Sequence, residues 1–265
     1  MTPELLLALE TLTAGIQAAL GQGILVFARV GAFFSLLPAF GEQVVPARIR
    51  LIAAFAFTLI VAPAILPAIT DRPETPGTMA RFLFTETAIG LALGAALRLM
   101  VHALQIAGTM AAQATSLAQF FGGAGVDPQP AISQVLVMAG LALAVMTGLP
   151  ERAAAFLILG YTLLPAGLWP DGGVMAEWGV ARVSHIFTLA FVLAAPFVIG
   201  ASIYNLALGA INRAMPQLMV AFIGAPALTL GGLLLLMLAA PLMLSVWHEA
   251  FLALLADPAT QGSVR

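Results

Sequence analysis

The sequence predicts an all-α polytopic membrane protein of helical hairpins, with about six to seven long hydrophobic segments, some kinked or broken. Three observations lead there. First, 62% of the 265 residues are hydrophobic and only 8% are charged, against about 45–50% and about 25% in an average soluble domain. Second, most apolar runs reach the roughly 20 residues that a helix needs to cross a hydrocarbon core about 30 Å thick. Third, the runs are unbroken, whereas an outer-membrane barrel alternates apolar and polar residues over segments of about ten. Only helices satisfy a lipid-buried backbone in that way.

The segments follow from cutting the chain at its charges. Residues 11–28 carry none, and beyond Arg29 the apolar run continues to Phe40. Further runs cover 51–70, 99–126, 128–150, 153–170, 183–212 and 214–248. Short Pro- and Gly-marked stretches join them, at 41–46, 70–77, 122–130, 150–152 and 170–173. No linker separates soluble domains, so residues 1–265 read as one integral membrane unit. Glu4 and Glu10 precede the first run without a basic residue, unlike a cleavable signal peptide, so the mature chain is expected to begin near Met1.

Two features resist a simple hydropathy map. Residues 81–121 contain no Pro; as one helix they would run about 60 Å, twice the hydrocarbon thickness. Either that helix breaks near Gly108 or much of it lies outside lipid. The Arg residues also set no orientation. Seven simple crossings would leave Arg48, Arg50 and Arg182 on one side, and Arg72, Arg81, Arg152 and Arg213 on the other.

Composition excludes several functions. All ten basic residues are Arg, twelve residues are acidic, and the net charge is −2, which gives nucleic-acid binding no driving term. There is no Cys. His102, His185 and His248 are widely spaced and make no metal-ligand pattern. HExxH, GxSxG and Walker motifs are absent from the sequence. Gly123-Ala124-Gly125-Val126-Asp127 is one residue out of register from an intramembrane aspartyl-protease motif, and Asp127 reads as a turn or cap residue before Pro128. Glu86 is the only acid well inside an apolar run, and a place near a helix start accounts for it. No catalytic residue, cofactor or metal is expected.

The polar residues within apolar runs mark the candidate sites, because polar groups at membrane depth require a reason. Arg98, His102, Gln105, Thr109, Gln113 and Ser116 are spaced 4, 3, 4, 4 and 3 apart, so they share one helix face. Gly90 and Gly94 precede them on the same side and Gln119 extends them. Such a face is either a close-packed seam with neighbouring helices, or the wall of a hydrated conduit or a subunit interface. A second constellation is Asn205, Asn212 and Arg213, followed by Met215, Pro216 and Gln217. It is either a polar helix end with a snorkelling Arg213 or a partner-binding corner.

Ordered motifs along nearly the whole chain carry a family resemblance. They are Arg29-Val-Gly31, Pro38-Ala-Phe-Gly41, Val45-Pro46-Ala-Arg48-Ile-Arg50, Gly108, Gln113, Asp127-Pro128 and Tyr161-Thr-Leu-Leu-Pro165-Ala-Gly167. The strongest are Asn205, Leu208-Gly209-Ala-Ile-Asn212-Arg213-Ala-Met-Pro216-Gln217-Leu218 and Ile223-Gly224-Ala-Pro226. The chain resembles the FliR family of flagellar type III export-gate proteins, to which injectisome proteins are close. It departs from the family pattern at Met219, at Ala225 and at Gly148-Leu149-Pro150.

The resemblance implies a non-enzymatic subunit of an export gate in the bacterial inner membrane, within the flagellar basal body. It implies FliP-like and FliQ-like partner subunits, an FlhB-like protein, surrounding lipid, and unfolded flagellar substrates passing through an entrance pore. It also implies that Phe120, Phe121, Gly122, Gly123 and Gly125 form a pore-plugging loop. Pro38, Gly41, Pro46, Arg48, Arg50, Asn205, Asn212, Arg213, Pro216, Gln217, Gly224 and Pro226 would serve assembly. The alternative class is a small-solute or ion transporter or channel, for which inverted repeats are the usual mark; no internal repeat stands out.

Overall fold

The computed structural model describes residues 3–69, 75–115, 131–215 and 220–259. Seven α-helices fill most of them: α1 (Pro3–Leu36), α2 (Ala47–Ile65), α3 (Pro76–Thr115), α4 (Ala131–Met146), α5 (Leu149–Leu163), α6 (Gly172–Ala214) and α7 (Val220–Ala256). A 3-10 turn, Leu66–Ala68, follows α2. No strand occurs among the described residues. The all-α expectation holds.

Among the described residues, four helical stretches are long and apolar enough to cross a bilayer: Ala47–Ile65, Pro76–Ala114, Gly172–Ala214 and Leu230–Ala256. The described residues give five spans if the bent pair α4 and α5 is taken as one. The expected six to seven segments are therefore present as helices, but fewer are spans. The connection expected at 150–152 lies instead at Thr147 and Gly148; Pro150 sits in the first turn of α5, where its missing N–H leaves no bond unmade. Gly148 has φ of 85°, a conformation that the lack of a Cβ permits.

The chain divides into two compact units. Unit 1 holds Met1–Arg98, Gly148–Trp178 and Leu255–Thr260. Its core is aromatic: Phe33, Phe34 and Phe156 are fully buried, and Phe34 meets Phe57 of α2 edge-on at 4.5 Å. Helix α2 packs on α1 and α5. Helices α1 and α3 meet at the two glycines of the GxxxG spacing. A Cβ on Gly94 would lie 2.8 Å from the Phe33 carbonyl oxygen, and one on Gly90 would overlap that of Arg29. For these two glycines the close-packed seam is correct.

Unit 2 holds Leu99–Thr147 and Gly179–Leu254. Here α3 continues through Gly108, so of the two accounts of its length the break does not occur. Gly108 is instead a contact: a Cβ there would overlap Ser133 of α4, and Ser133 Oγ donates to the Gln105 carbonyl at 3.0 Å. Trp247 of α7 is fully buried. Its indole donates to the Met100 carbonyl at 2.7 Å, and its ring stacks on Phe251 at 5.0 Å. A buried tryptophan that satisfies its N–H in this way combines a large apolar contact with no polar penalty.

Candidate functional site

The most enclosed polar group among the described residues is one that the sequence did not disclose. Arg29 of α1 and Glu86 of α3 are both completely buried. Arg29 Nε donates to Glu86 Oε2 at 2.8 Å and a terminal nitrogen donates to Oε1 at 3.0 Å. The remaining terminal nitrogen donates to the carbonyls of Gly160 and Leu164, at 3.4 and 2.9 Å. Those carbonyls end α5, where the helix dipole is negative and a cation is favoured. The guanidinium carbon lies 3.7 Å from the centre of the Tyr161 ring, a cation–π contact in a site closed to water. Glu86 Oε1 also accepts the backbone N–H of Gly167 at 3.0 Å.

Glu86 thus corrects the expectation of a residue placed near a helix start for local reasons. It lies in the third turn of α3 as half of an ion pair. Two ions removed from water require partners for nearly all their hydrogen-bonding positions, and four of the five Arg29 N–H groups are engaged here. Gly167 completes the group through its backbone. Its φ is 73°, and a Cβ would overlap the Phe82 ring. Two elements of the family pattern, Arg29 and the Tyr161–Gly167 block, are in this way brought together by a Glu that lies outside the quoted motifs. The signal was available as one Arg and one Glu, each alone in an apolar run.

The polar face of α3 divides on inspection. Arg98 makes a two-pronged ion pair with Glu42, at 2.8 and 3.2 Å, with both side chains a little over a quarter exposed. Its role is to tie α3 to the turn after α1. That turn includes Pro38, which is buried, and Gly41, whose N–H bonds the Leu37 carbonyl at 2.7 Å. A Cβ on Gly41 would meet the Ser35 carbonyl oxygen at 2.6 Å. Ala39 in the same turn has φ of 68°, a left-handed conformation uncommon for a residue with a Cβ.

Beyond Arg98, within unit 2, the face remains turned outward. His102 and Gln113 are exposed, and Gln105 and Thr109 are half-exposed. His102 Nδ1 and Gln105 Oε1 are 3.0 Å apart. Thr109 donates to the Gln105 carbonyl at 2.8 Å, within its own helix. Ser116 lies outside the described residues, as do Phe120, Phe121, Gly122, Gly123, Gly125, Asp127, Pro216 and Gln217.

At the end of α6, Asn205, Asn212 and Arg213 are exposed, with Arg213 in the last helical turn. Arg48 is exposed and Arg50 half-buried in the first turn of α2, after an exposed Pro46. Gly224 and Pro226 fall within α7, whose side chains there lie outside the description. No group of three His, Asp or Glu able to hold a metal occurs among the described residues. The donors and acceptors at the ion pair are turned on one another, so the arrangement serves to fix helices in place.

Comparison with known proteins decides the family. Residues 20–254 match the model of bacterial export proteins, family 1. The chain belongs to that family. Among curated relatives, the flagellar biosynthetic protein FliR of Caulobacter vibrioides is 34% identical over 233 residues, covering 87% of this chain and 93% of that protein. The FliR of Aquifex aeolicus is 31% identical over 83% of this chain and 85% of its own length. That of Escherichia coli K12 is 31% identical over 86% and 89%. The matched region of this export-family member contains Arg29, Glu86, the polar face of α3 and the α6 corner. With its apolar spans, the chain is a membrane-embedded member of the export family.

Proposed function

We propose that this export-family protein is a non-enzymatic subunit of the flagellar type III export gate in the bacterial inner membrane. It inserts as one unit of residues 1–265. It assembles with FliP-like and FliQ-like subunits, next to an FlhB-like protein, and helps to form the entrance pore for unfolded flagellar substrates. Likeness to the FliR proteins over more than four-fifths of the chain carries this reading. The surface agrees with it. Apolar side chains such as Phe187, Phe191, Leu206 and Met237 are at least half exposed, as expected of a chain that closes its surface against other protein and lipid. The exposed polar residues His102 and Gln113 are costly against lipid, so we assign that face to a subunit interface or to the conduit.

Co-expression with the two partner subunits tests the assignment. The expected result is one stable complex containing all three; a well-behaved monomer that ignores both partners would overturn it. Within that complex, Arg213→Ala is expected to lower the assembled yield severely while leaving the insertion of the chain unchanged, because Arg213 is exposed on the corner assigned to assembly. Unaltered complex yield by size-exclusion chromatography would contradict the role. The loop from Phe120 to Gly125 is assigned as the plug. Deletion of residues 122–125 is expected to make the closed complex leaky in reconstituted vesicles, and unchanged dye retention would remove that assignment.

A further inference from the structure

Helix α2 differs from the other apolar spans in length. Its 19 residues measure about 28 Å, close to one hydrocarbon thickness of about 30 Å. Helices α3, α6 and α7 contain 40, 43 and 37 residues, too many for one straight crossing. One side of α2, with Ala54, Thr58, Val61, Ala62 and Ile65, is buried. The other is strongly apolar and open: Ile52, Phe55 and Leu59 are 68, 58 and 61% exposed.

Arg48 stands four residues before Ile52, seven before Phe55 and eleven before Leu59, and is itself exposed. A cation therefore tops the apolar stripe on the same helix face. Arg50, on the other side of the first turn, is half-buried, so two positive charges flank this end of the span. The first turn holds no acid, and the nearest acid in sequence, Glu42, is occupied by Arg98 at 2.8 Å. We infer that the open face of α2 meets lipid, and that Arg48 binds the phosphate of an anionic phospholipid headgroup, with Arg50 adding positive charge at the same end of the span. The acyl chains lie along Ile52, Phe55 and Leu59. Charge decides the occupant: a guanidinium bonds phosphate oxygens with charge assistance, and each basic residue at a membrane surface favours anionic lipid.

The inference rests on the chain being embedded in a membrane and is independent of its place in a pore. The test is native mass spectrometry of the full chain in detergent, titrated with phosphatidylglycerol and separately with phosphatidylcholine. Wild-type protein is expected to bind phosphatidylglycerol more tightly. Arg48→Gln should weaken that binding roughly fivefold, and the Arg48→Gln/Arg50→Gln pair roughly thirtyfold, with phosphatidylcholine binding unchanged. The Arg48→Lys/Arg50→Lys pair should largely retain the preference.

Equal binding of the two lipids by wild type, or an equal loss from Arg81→Gln at another exposed Arg, overturns the site. The complex with partner subunits is titrated in the same way. If Arg48 no longer affects phosphatidylglycerol binding there, the face belongs to a protein partner and the proposal fails. None of these failures bears on whether the chain forms part of the gate.

Discussion

Glu86→Ala is expected to prevent the chain from accumulating in folded form. The substitution leaves Arg29 completely enclosed with its two charge-assisted bonds removed. Loss of one partner from a buried pair costs about 3–5 kcal/mol, a large share of the 5–15 kcal/mol by which typical domains are stable. Arg29 would still hold the carbonyls of Gly160 and Leu164, but those bonds do not neutralise it. Gly167 would lose the carboxylate that orders its N–H. Folded yield after detergent extraction, measured by size-exclusion chromatography, reports the effect. The double variant Arg29→Met/Glu86→Leu separates charge from fold. It removes both ions and keeps the volume, and such replacements of buried pairs are often neutral or stabilising. Recovery of folded yield in the double variant is the expected outcome; equal loss in both would show that specific hydrogen bonds, and not an uncompensated charge, sustain this region.

Gly90→Ala is expected to be strongly destabilising although alanine is the better helix former. Propensity favours the substitution by about 1 kcal/mol. Against it, the new Cβ overlaps the Arg29 carbonyl oxygen and meets the Ala32 Cβ at 3.0 Å. The overlapped atom is backbone, so relief requires α1 and α3 to separate. Overpacking costs typically 1–3 kcal/mol, backbone shifts included; at the upper end of that range, as expected where the overlapped atom is main chain, the net loss is about 2 kcal/mol. For a chain of this size that is a fall of roughly 4–8 °C in Tm. Gly179→Ala is the control: nothing lies within 4 Å of its added Cβ, so a small gain is expected there. Thermal unfolding of both proteins in one detergent compares them, and an unchanged Tm for Gly90→Ala would mean that the seam is looser than its geometry.

The two variants share a cause, since the Gly90 contact brings the α1 backbone against α3 at the residue that carries the guanidinium. Much of this arrangement was legible. Apolar run length identified most helices, and the GxxxG spacing located the seam at Gly90 and Gly94. Spacing also placed Arg98 to Gln113 on one face, although Arg98 turned out to serve the turn at Glu42.

What could not be read was long-range pairing. Arg29 and Glu86 are 57 residues apart, and periodicity carries information over a few turns only. Each charge was visible by itself as an exception in an apolar run; nothing local said that one answered the other. Gly108 shows the same limit. A break there was one of two accounts of the length of α3; the helix continues instead, and the glycine admits Ser133, a residue beyond the next connection. Pro150 looked like part of a connection, and a proline in the first turn of a helix is an equally good helix opening.

The buried ion pair also constrains the order of events during synthesis. Arg29 emerges from the ribosome 57 residues ahead of Glu86, a delay of roughly 3–11 s at 5–20 residues per second. The Leu164 carbonyl follows 135 residues after Arg29. During this interval the first helix carries an uncompensated cation, worth about 2.5–3.5 kcal/mol against release into lipid. The pairing that fixes α1 against α3 and α5 therefore waits until the centre of the chain has been made.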